Sequence, residues 1–204
     1  MTNIYAISMK LYSGKGKAFP EFIMLDGKSF AINADFRNIL RIFAMIKDKH
    51  IPDIRKACKL CGWFIESDEF TEIAKAMQAF ISFVGGASES AGECSLMRDE
   101  PQFCYEFDGE EIYASFLCEY DIDLIECGYL HWYKFRILLE NLPDTSAFNK
   151  KLAVRFLDLN KFSSEEPGFS DILKAWQSVQ LPFDYSEEET YEMREFEEFW
   201  ERVK

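Results

Sequence analysis

The sequence predicts a mainly α-helical protein with one small β-hairpin near its N-terminus. Three observations lead to this fold class. Apolar residues recur at helical spacing through most of the chain, only one pair of short apolar runs flanks a hairpin-type turn, and no internal repeat is visible. With 204 residues, 48% of them hydrophobic, the chain can bury a sizeable core. We predict a single helical domain over 1–185, followed by a separate segment at 186–204.

The hairpin is predicted at about 20–33, in the stretch EFIMLDGKSFAIN. Two short apolar runs flank Asp26-Gly27, a dipeptide that favours the type I′ turn of a two-residue hairpin. A helix is expected next, behind the capping residues Asn33 and Asp35. Its apolar face consists of Phe36, Ile39, Leu40, Phe43 and Ile46.

Two more helices and a loop complete the first half. One helix covers IPDIRKACKLCGWF, with Pro52 in its first turn. The other begins after Ser67 or Asp68 and has an apolar face made of Phe70, Ile73, Ala74, Met77, Phe80 and Ile81. The next eighteen residues, GGASESAGECSLMRDEPQ, break all periodicity. They predict a mobile loop at about 85–102.

The second half is predicted to be helical almost throughout. Its first helix begins at Asp108, and Glu111 three residues later is typical of a capping box. The expected core residues of that helix are Ile112, Phe116, Leu117 and Tyr120. A strongly apolar helix from Tyr129 to Leu142 is predicted to bury a stripe of Tyr129, Trp132, Phe135, Leu139 and Leu142.

Two further helices follow the turn PDTS. The first presents Phe148, Leu152, Phe156 and Leu159 on one face, and the second presents Phe169, Ile172, Leu173, Trp176 and Val179. The C-terminal segment, residues 186–204, holds eight glutamates against three basic residues and predicts an acidic amphipathic helix. Its narrow aromatic stripe makes Phe196, Phe199 and Trp200 candidate partner-binding residues.

The charge pattern limits the classes of partner. The net charge of −13 argues against nucleic acid, because a phosphate-binding surface needs a basic face. Residues 1–65 carry 11 basic and 5 acidic side chains, an excess that suits either a polyanion contact or an ordinary mixed surface. No apolar run is long enough to span a membrane, and the N-terminus lacks the apolar stretch of a signal peptide. We expect a protein of the cytoplasm, with thiols rather than disulfides.

Two clusters have side chains that could do chemistry. Cys58 and Cys61 form a CxxC motif, but no second cysteine or histidine pair completes a zinc site and no βαβ pattern suggests a redox fold. Asp121 and Asp123 lie in an acidic run from 99 to 133, which could hold a hard cation although no calcium-loop consensus is present. We predict no metal, no cofactor and no catalytic residue, and interpret the cysteines as small core residues.

The segment YDIDLIECGYLHWYKF, residues 120–135, combines His131 with Trp132 and three tyrosines. Such a mixture occurs in catalytic pockets and in helix cores. Because the aromatic stripe requires burial, we favour an interior network in which the polar groups of Trp132 and the tyrosines bond to nearby carboxylates. A catalytic histidine remains the alternative.

Residues 107–143 carry a family resemblance. The motifs are Phe107-Asp108, the IYASF helix at 112–116, a Y-x-IDL step from Tyr120, the LHW core at 130–132 with Phe135, and the LLENLP exit at 138–143. Together they resemble the centre of the bacteriophage gene-product-fifteen family, and similarity covers most of 20–165. Arg155 matches the family's arginine, whereas Asp121 stands where the family has Gly and Tyr133 where a second Trp is usual.

This resemblance implies a protein from the tail-morphogenesis region of siphophages and prophages, the location of tail assembly chaperones. We therefore expect a non-enzymatic tail assembly factor acting in the cytoplasm of the bacterial host. Its expected partners are phage tail proteins, either the tape-measure or the major tail protein, and neither nucleic acid nor membrane. The alternatives are a structural tail component of the virion, or a metal-binding or redox protein that uses the acidic cluster or the CxxC motif.

Overall fold

The computed structural model describes residues 19–67, 72–85, 103–163 and 167–181. These residues form a two-stranded antiparallel β-hairpin and seven α-helices, so the predicted mainly α fold class is confirmed. They fall into two compact units. The predicted loop, apart from Gly85, and the predicted C-terminal helix lie outside the described residues, and the single domain over 1–185 stays a prediction.

The first unit comprises the described residues up to 85 together with 129–133. Its hairpin pairs β1 (Phe22–Leu25) with β2 (Lys28–Ala31). The turn residues Asp26 and Gly27 have φ angles of 49° and 77°. Both values are positive, as a type I′ turn requires, and the predicted turn chemistry is therefore confirmed.

Three helices follow the hairpin: α1 (Phe36–Lys47), α2 (Asp53–Phe64) and α3 (Ile73–Val84). The α1 helix begins as predicted, because the Asp35 side chain accepts a hydrogen bond from the Arg37 amide. Helix α2 packs against both α1 and α3. The fully buried side chains of this core include Ile39, Ile42, Leu60, Phe64, Met77 and Phe80.

The second unit comprises 103–128, 134–163 and 167–181. It contains α4 (Gly109–Tyr120), most of α5 (Trp132–Glu140), α6 (Ala147–Arg155), a 3₁₀ turn (Leu159–Lys161) and α7 (Phe169–Val179). Helix α6 packs against α4 and α7. The rings of Phe116 and Phe135 stack with centroids 5.2 Å apart.

Three large side chains predicted to be buried are exposed instead. Tyr129 is 59% exposed, because α5 begins at Trp132 and Tyr129 precedes it in an extended segment. Phe156 is 54% exposed, because α6 ends at Arg155 and the predicted face does not continue. Leu117 is 39% exposed, since the buried row of α4 follows Ile112 and Phe116 and Leu117 points about 100° away from it.

Candidate functional site

Leu130 and His131, immediately before α5, are extended and lie against the N-terminal end of α1. The Phe36 amide donates to the Leu130 carbonyl (3.0 Å), and the Trp132 amide donates to the Ala34 carbonyl (2.7 Å). The Asp35 carboxylate completes the junction, because its Oδ2 accepts from the Leu130 amide at 3.2 Å while Oδ1 accepts from the α1 backbone. The junction is therefore a short β-bridge and not the helix that the sequence predicted.

His131 is held in one neutral form within this junction. Its Nδ1 accepts a hydrogen bond from the Tyr133 amide at 3.1 Å, so the ring proton resides on Nε2, which donates to the Pro20 carbonyl at 3.1 Å. The ring stacks on Phe19 with centroids 4.9 Å apart. Burial lowers the pKa of His131, and the Pro20 hydrogen bond and the charge of Glu21 only partly oppose it.

Both ring nitrogens of His131 are thus occupied by backbone groups. A metal ligand needs a free nitrogen lone pair, and a proton-transfer group needs a nitrogen facing substrate. The side chain is only 5% exposed. His131 therefore belongs to an interior network, as predicted, and the catalytic alternative has no support in this geometry.

The tyrosines use different partners from those predicted. The Tyr133 hydroxyl donates to the Phe83 carbonyl at 2.6 Å, and the Tyr120 hydroxyl donates to the Leu138 carbonyl at 2.9 Å. Tyr113, outside the predicted group, does bond to a carboxylate, that of Asp123 at 3.2 Å. Backbone carbonyls, rather than the acidic run, satisfy the buried hydroxyl groups.

Asp108 and Arg155 form a buried charge pair in the second unit. The guanidinium donates from Nη1 to Oδ2 at 2.9 Å and from Nη2 to Oδ1 at 2.6 Å. Lys151 lies 2.9 Å from Oδ1, and the Cys104 amide donates to Oδ2 at 2.9 Å. Asp108 is completely buried, and Arg155 also donates from Nε to the Val179 carbonyl at 2.7 Å.

This pair corrects the predicted capping box. Asp108 does occupy the N-cap position of α4, but its carboxylate makes no hydrogen bond to the amides of that helix. Glu111 pairs instead with Lys151 at 2.8 Å. Burial alone would raise the pKa of Asp108, but the hydrogen bonds from Arg155, the Cys104 amide and Lys151 hold it below its usual value. The cluster is saturated internally, which suits a structural role.

The acidic residues after α4 shape a turn. Asp121 ends the helix with a φ of 54°, the left-handed conformation that glycine adopts most easily. Asp123 accepts from the amides of Ile125 and Glu126 at 2.8 and 3.0 Å, and these bonds lower its pKa. Within 19–67, 72–85, 103–163 and 167–181, no three or more His, Cys, Asp or Glu side chains are grouped to hold a metal ion.

The CxxC motif lies on α2, with Cys58 exposed and Cys61 buried. Burial raises the pKa of the Cys61 thiol, and neighbouring Cys58 raises it further. A raised pKa disfavours the thiolate, which is the reactive form of cysteine. The interpretation as a small core residue therefore agrees with the buried Cys61, but it is wrong for Cys58, which is exposed.

Helices α1 and α2 share a cationic surface that was not predicted from the sequence. Arg55, Lys59 and Trp63 are spaced four residues apart and share one side of α2. The Arg41 guanidinium of α1 lies over the Trp63 ring, 3.7 Å from its centroid, and the Lys59 ammonium lies 5.6 Å from it. We call these four residues the cationic face. Its only sequence signal is the basic excess over 1–65.

The predicted partner-binding residues Phe196, Phe199 and Trp200 lie outside the described residues. In the part of the chain that the structure covers, no helix is long and apolar enough to cross a membrane. Exposed apolar side chains occur in both units, among them Phe22 and Met24 on the outward side of β1, at 57% and 44% exposure. Such residues can contact a protein partner without any catalytic group.

Comparison with known proteins identifies a family. A family model described as Bacteriophage Gp15 protein matches residues 18–181. That range covers most of the chain and includes both the junction at Leu130–Trp132 and the Asp108–Arg155 pair. No curated protein and no solved structure matches the chain.

Proposed function

Because the chain belongs to the bacteriophage Gp15 family, a family of structural or assembly-related phage proteins, we propose that it is a non-enzymatic tail assembly factor. It binds the tape-measure protein or the major tail protein in the host cytoplasm and keeps that partner competent for assembly. The family membership carries this proposal, and the gene-product-fifteen resemblance on residues 107–143 supplies its link to tails.

The geometry of the two polar clusters supports a role without catalysis. His131 and Asp108 are the buried groups most suited to proton transfer, and internal donors and acceptors occupy both. General acid–base chemistry needs a group that can reach substrate. In this chain the same groups join distant segments of backbone, which is the expected use of buried polar networks in a binding protein.

Exposed apolar side chains support protein binding. Phe22 and Met24 project from the same side of β1, since residues two apart in a strand share a face. Phe196, Phe199 and Trp200 are further candidates from the sequence, because an acidic helix with an aromatic stripe suits a hydrophobic groove. The proposal places the contact on such surfaces and not on the buried clusters.

Co-purification tests the proposal. The tagged full chain is co-expressed with the tape-measure or the major tail protein of the same phage, and we expect one of them to be retained. A chain ending at residue 185 tests the contribution of the C-terminal segment, and Lys174→Ala, at an exposed lysine of the second unit, serves as a control for an unrelated surface change. Retention of neither tail protein by the full chain would end the assembly-factor proposal.

Mass spectrometry of purified particles addresses the second possibility, a permanent part of the tail. An assembly factor is released before the particle is complete, so the chain is expected to be absent from finished virions. A stoichiometric amount of the chain in virions, present in every preparation, would instead establish a structural component of the tail.

A further inference from the structure

The cationic face carries charge that the described part of the chain leaves uncompensated. Arg41, Arg55 and Lys59 make no ion pair with any carboxylate of the described residues, whereas Arg37 nearby pairs with Asp35 at 3.4 Å. Beside this row α2 exposes an uncharged row of Ile54, Cys58 and Gly62. A surface with cations, an indole and adjacent uncharged side chains suits a ligand that is both acidic and aromatic.

We propose that the cationic face binds the C-terminal segment, residues 186–204, of the same chain. The segment has eight glutamates and three basic residues, and therefore five net negative charges. Its glutamates match Arg41, Arg55 and Lys59, and its aromatic residues match Trp63 and the uncharged row. The cations and the indole can bind such a segment together, because a guanidinium group can stack on an indole ring while it bonds to a carboxylate.

The chain length favours an occupant from the same molecule. Fourteen residues separate Leu181, the last described residue, from Phe196. Fully extended, they span about 45 Å, which is enough to reach across a small domain. A covalent tether of this kind produces an effective concentration on the order of mM, whereas a second copy must lose its translational and rotational freedom on binding.

The charge of the whole molecule disfavours the competing polyanion. A nucleic acid approaching the cationic face meets a chain with a net charge of −13. The C-terminal segment is already part of that chain and adds no further charge on binding. The face is therefore better explained by an internal acidic partner than by a nucleic acid.

Zero-length cross-linking of the full chain tests the proposal directly. Unlabelled and ¹⁵N-labelled chains are mixed in equal amounts, treated with a carbodiimide and digested for mass spectrometry. We expect an amide bond between the Lys59 ammonium and a glutamate of the segment, formed with loss of water. The joined peptides should be wholly light or wholly heavy, because both come from one molecule.

Charge reversal tests the electrostatic part while keeping Lys59 available. The double variant Arg41→Glu/Arg55→Glu is expected to lower the yield of that cross-link about fivefold, since two attractive contacts become repulsive. Adding Glu197→Lys/Glu201→Lys should restore much of the yield. The control Lys161→Glu/Lys174→Glu changes the net charge equally at exposed lysines of the second unit and should leave the yield unchanged.

Three different results would contradict binding of the C-terminal segment to the cationic face. Absence of the cross-link, or a yield that the Arg41→Glu/Arg55→Glu change does not alter, overturns the proposal. Peptides joined between light and heavy chains identify a second copy as the occupant and also overturn it. Binding of a single-stranded oligonucleotide that depends on Arg41 and Arg55, without any cross-link to the segment, identifies a polyanion site. None of these measurements uses a phage partner. The cross-linking result therefore does not depend on whether the chain retains a tail protein in the co-purification test.

Discussion

Arg155 bonds to both carboxylate oxygens of Asp108, at 2.6 and 2.9 Å, in a part of the second unit where Asp108 is completely buried. The two residues are 47 positions apart in the chain. Their contact joins the beginning of α4 to the end of α6, and Arg155 extends it to the end of α7 through the Val179 carbonyl. One charge pair thus fixes three helices of the second unit.

Removing the arginine should destabilise the fold strongly. Arg155→Leu leaves the Asp108 carboxylate buried with Lys151 as its remaining cation, so we expect a loss of about 3 kcal/mol in the free energy of unfolding. Urea denaturation measures this loss. The double variant Asp108→Leu/Arg155→Leu should be less destabilised than the single variant, because no unpaired charge remains. A loss below about 1 kcal/mol for Arg155→Leu would show that the pair contributes little.

The same pair predicts sensitivity to acid. The folded pKa of Asp108 is lowered relative to the unfolded chain, so its contribution to stability is fully present above pH ~4 and is lost as the pH falls through the folded value. The parent protein should therefore lose stability below pH ~4 more steeply than Asp108→Asn, which cannot ionise. Thermal unfolding between pH 3 and 6 compares the two slopes. Equal slopes would contradict the assignment of this acid sensitivity to Asp108.

His131 predicts a second pH dependence, at a higher pH. Burial lowers its pKa in the folded state, so below about 6.5 the unfolded chain takes up a proton that the folded chain does not. The contribution of the neutral ring to the free energy of unfolding is fully present above pH ~6.5. As the pH falls from there toward the lowered folded pKa, this contribution decreases by at most about 1.4 kcal/mol per pH unit.

The variant His131→Asn separates this titration from the packing. Its side-chain oxygen can replace Nδ1 as acceptor for the Tyr133 amide, but it loses the Pro20 hydrogen bond and the ring stacking. We expect a cost of about 1–2 kcal/mol at pH 7.5 and a flatter stability profile between pH 5 and 6.5. Denaturant titrations across that range measure both effects. His50→Asn, at an exposed histidine, supplies the comparison, and an unchanged slope in His131→Asn would refute the prediction.

Local sequence signals predicted the features that depend on neighbouring residues. The Asp26-Gly27 turn needs only two residues with positive φ, and the start of α1 needs only Asp35 two positions before the amide that it caps. Both were predicted correctly for that reason. The apolar period likewise identified the buried residues Phe36, Ile39 and Ile46.

Contacts between distant residues caused the errors. Tyr129 continues the helical period of α5, but the Leu130 amide bonds to Asp35, 95 positions away, and this pairing keeps the segment extended. Asp108 and Glu111 match a capping box in sequence. In the structure, however, the Asp108 carboxylate pairs with Arg155 and the Glu111 carboxylate pairs with Lys151, because charged hydrogen bonds of this kind are stronger than a bond to a helix amide. No local pattern contains that information. The cationic face was missed for the same reason, since Arg41 and Trp63 meet only when α1 packs against α2.

Asp35 offers the sharpest test of the long-range junction. Asp35→Ala removes the α1 cap and also the acceptor of the Leu130 amide, so we expect a loss of about 2 kcal/mol in the free energy of unfolding. Asp48→Ala removes a similar carboxylate, which accepts from the His50 amide in an exposed turn, and should cost less than about 0.5 kcal/mol. Amide hydrogen exchange adds a local measurement. The Leu130 amide should lose protection in Asp35→Ala and keep it in Asp48→Ala, whereas protection that survives in Asp35→Ala would show that the β-bridge alone holds the junction.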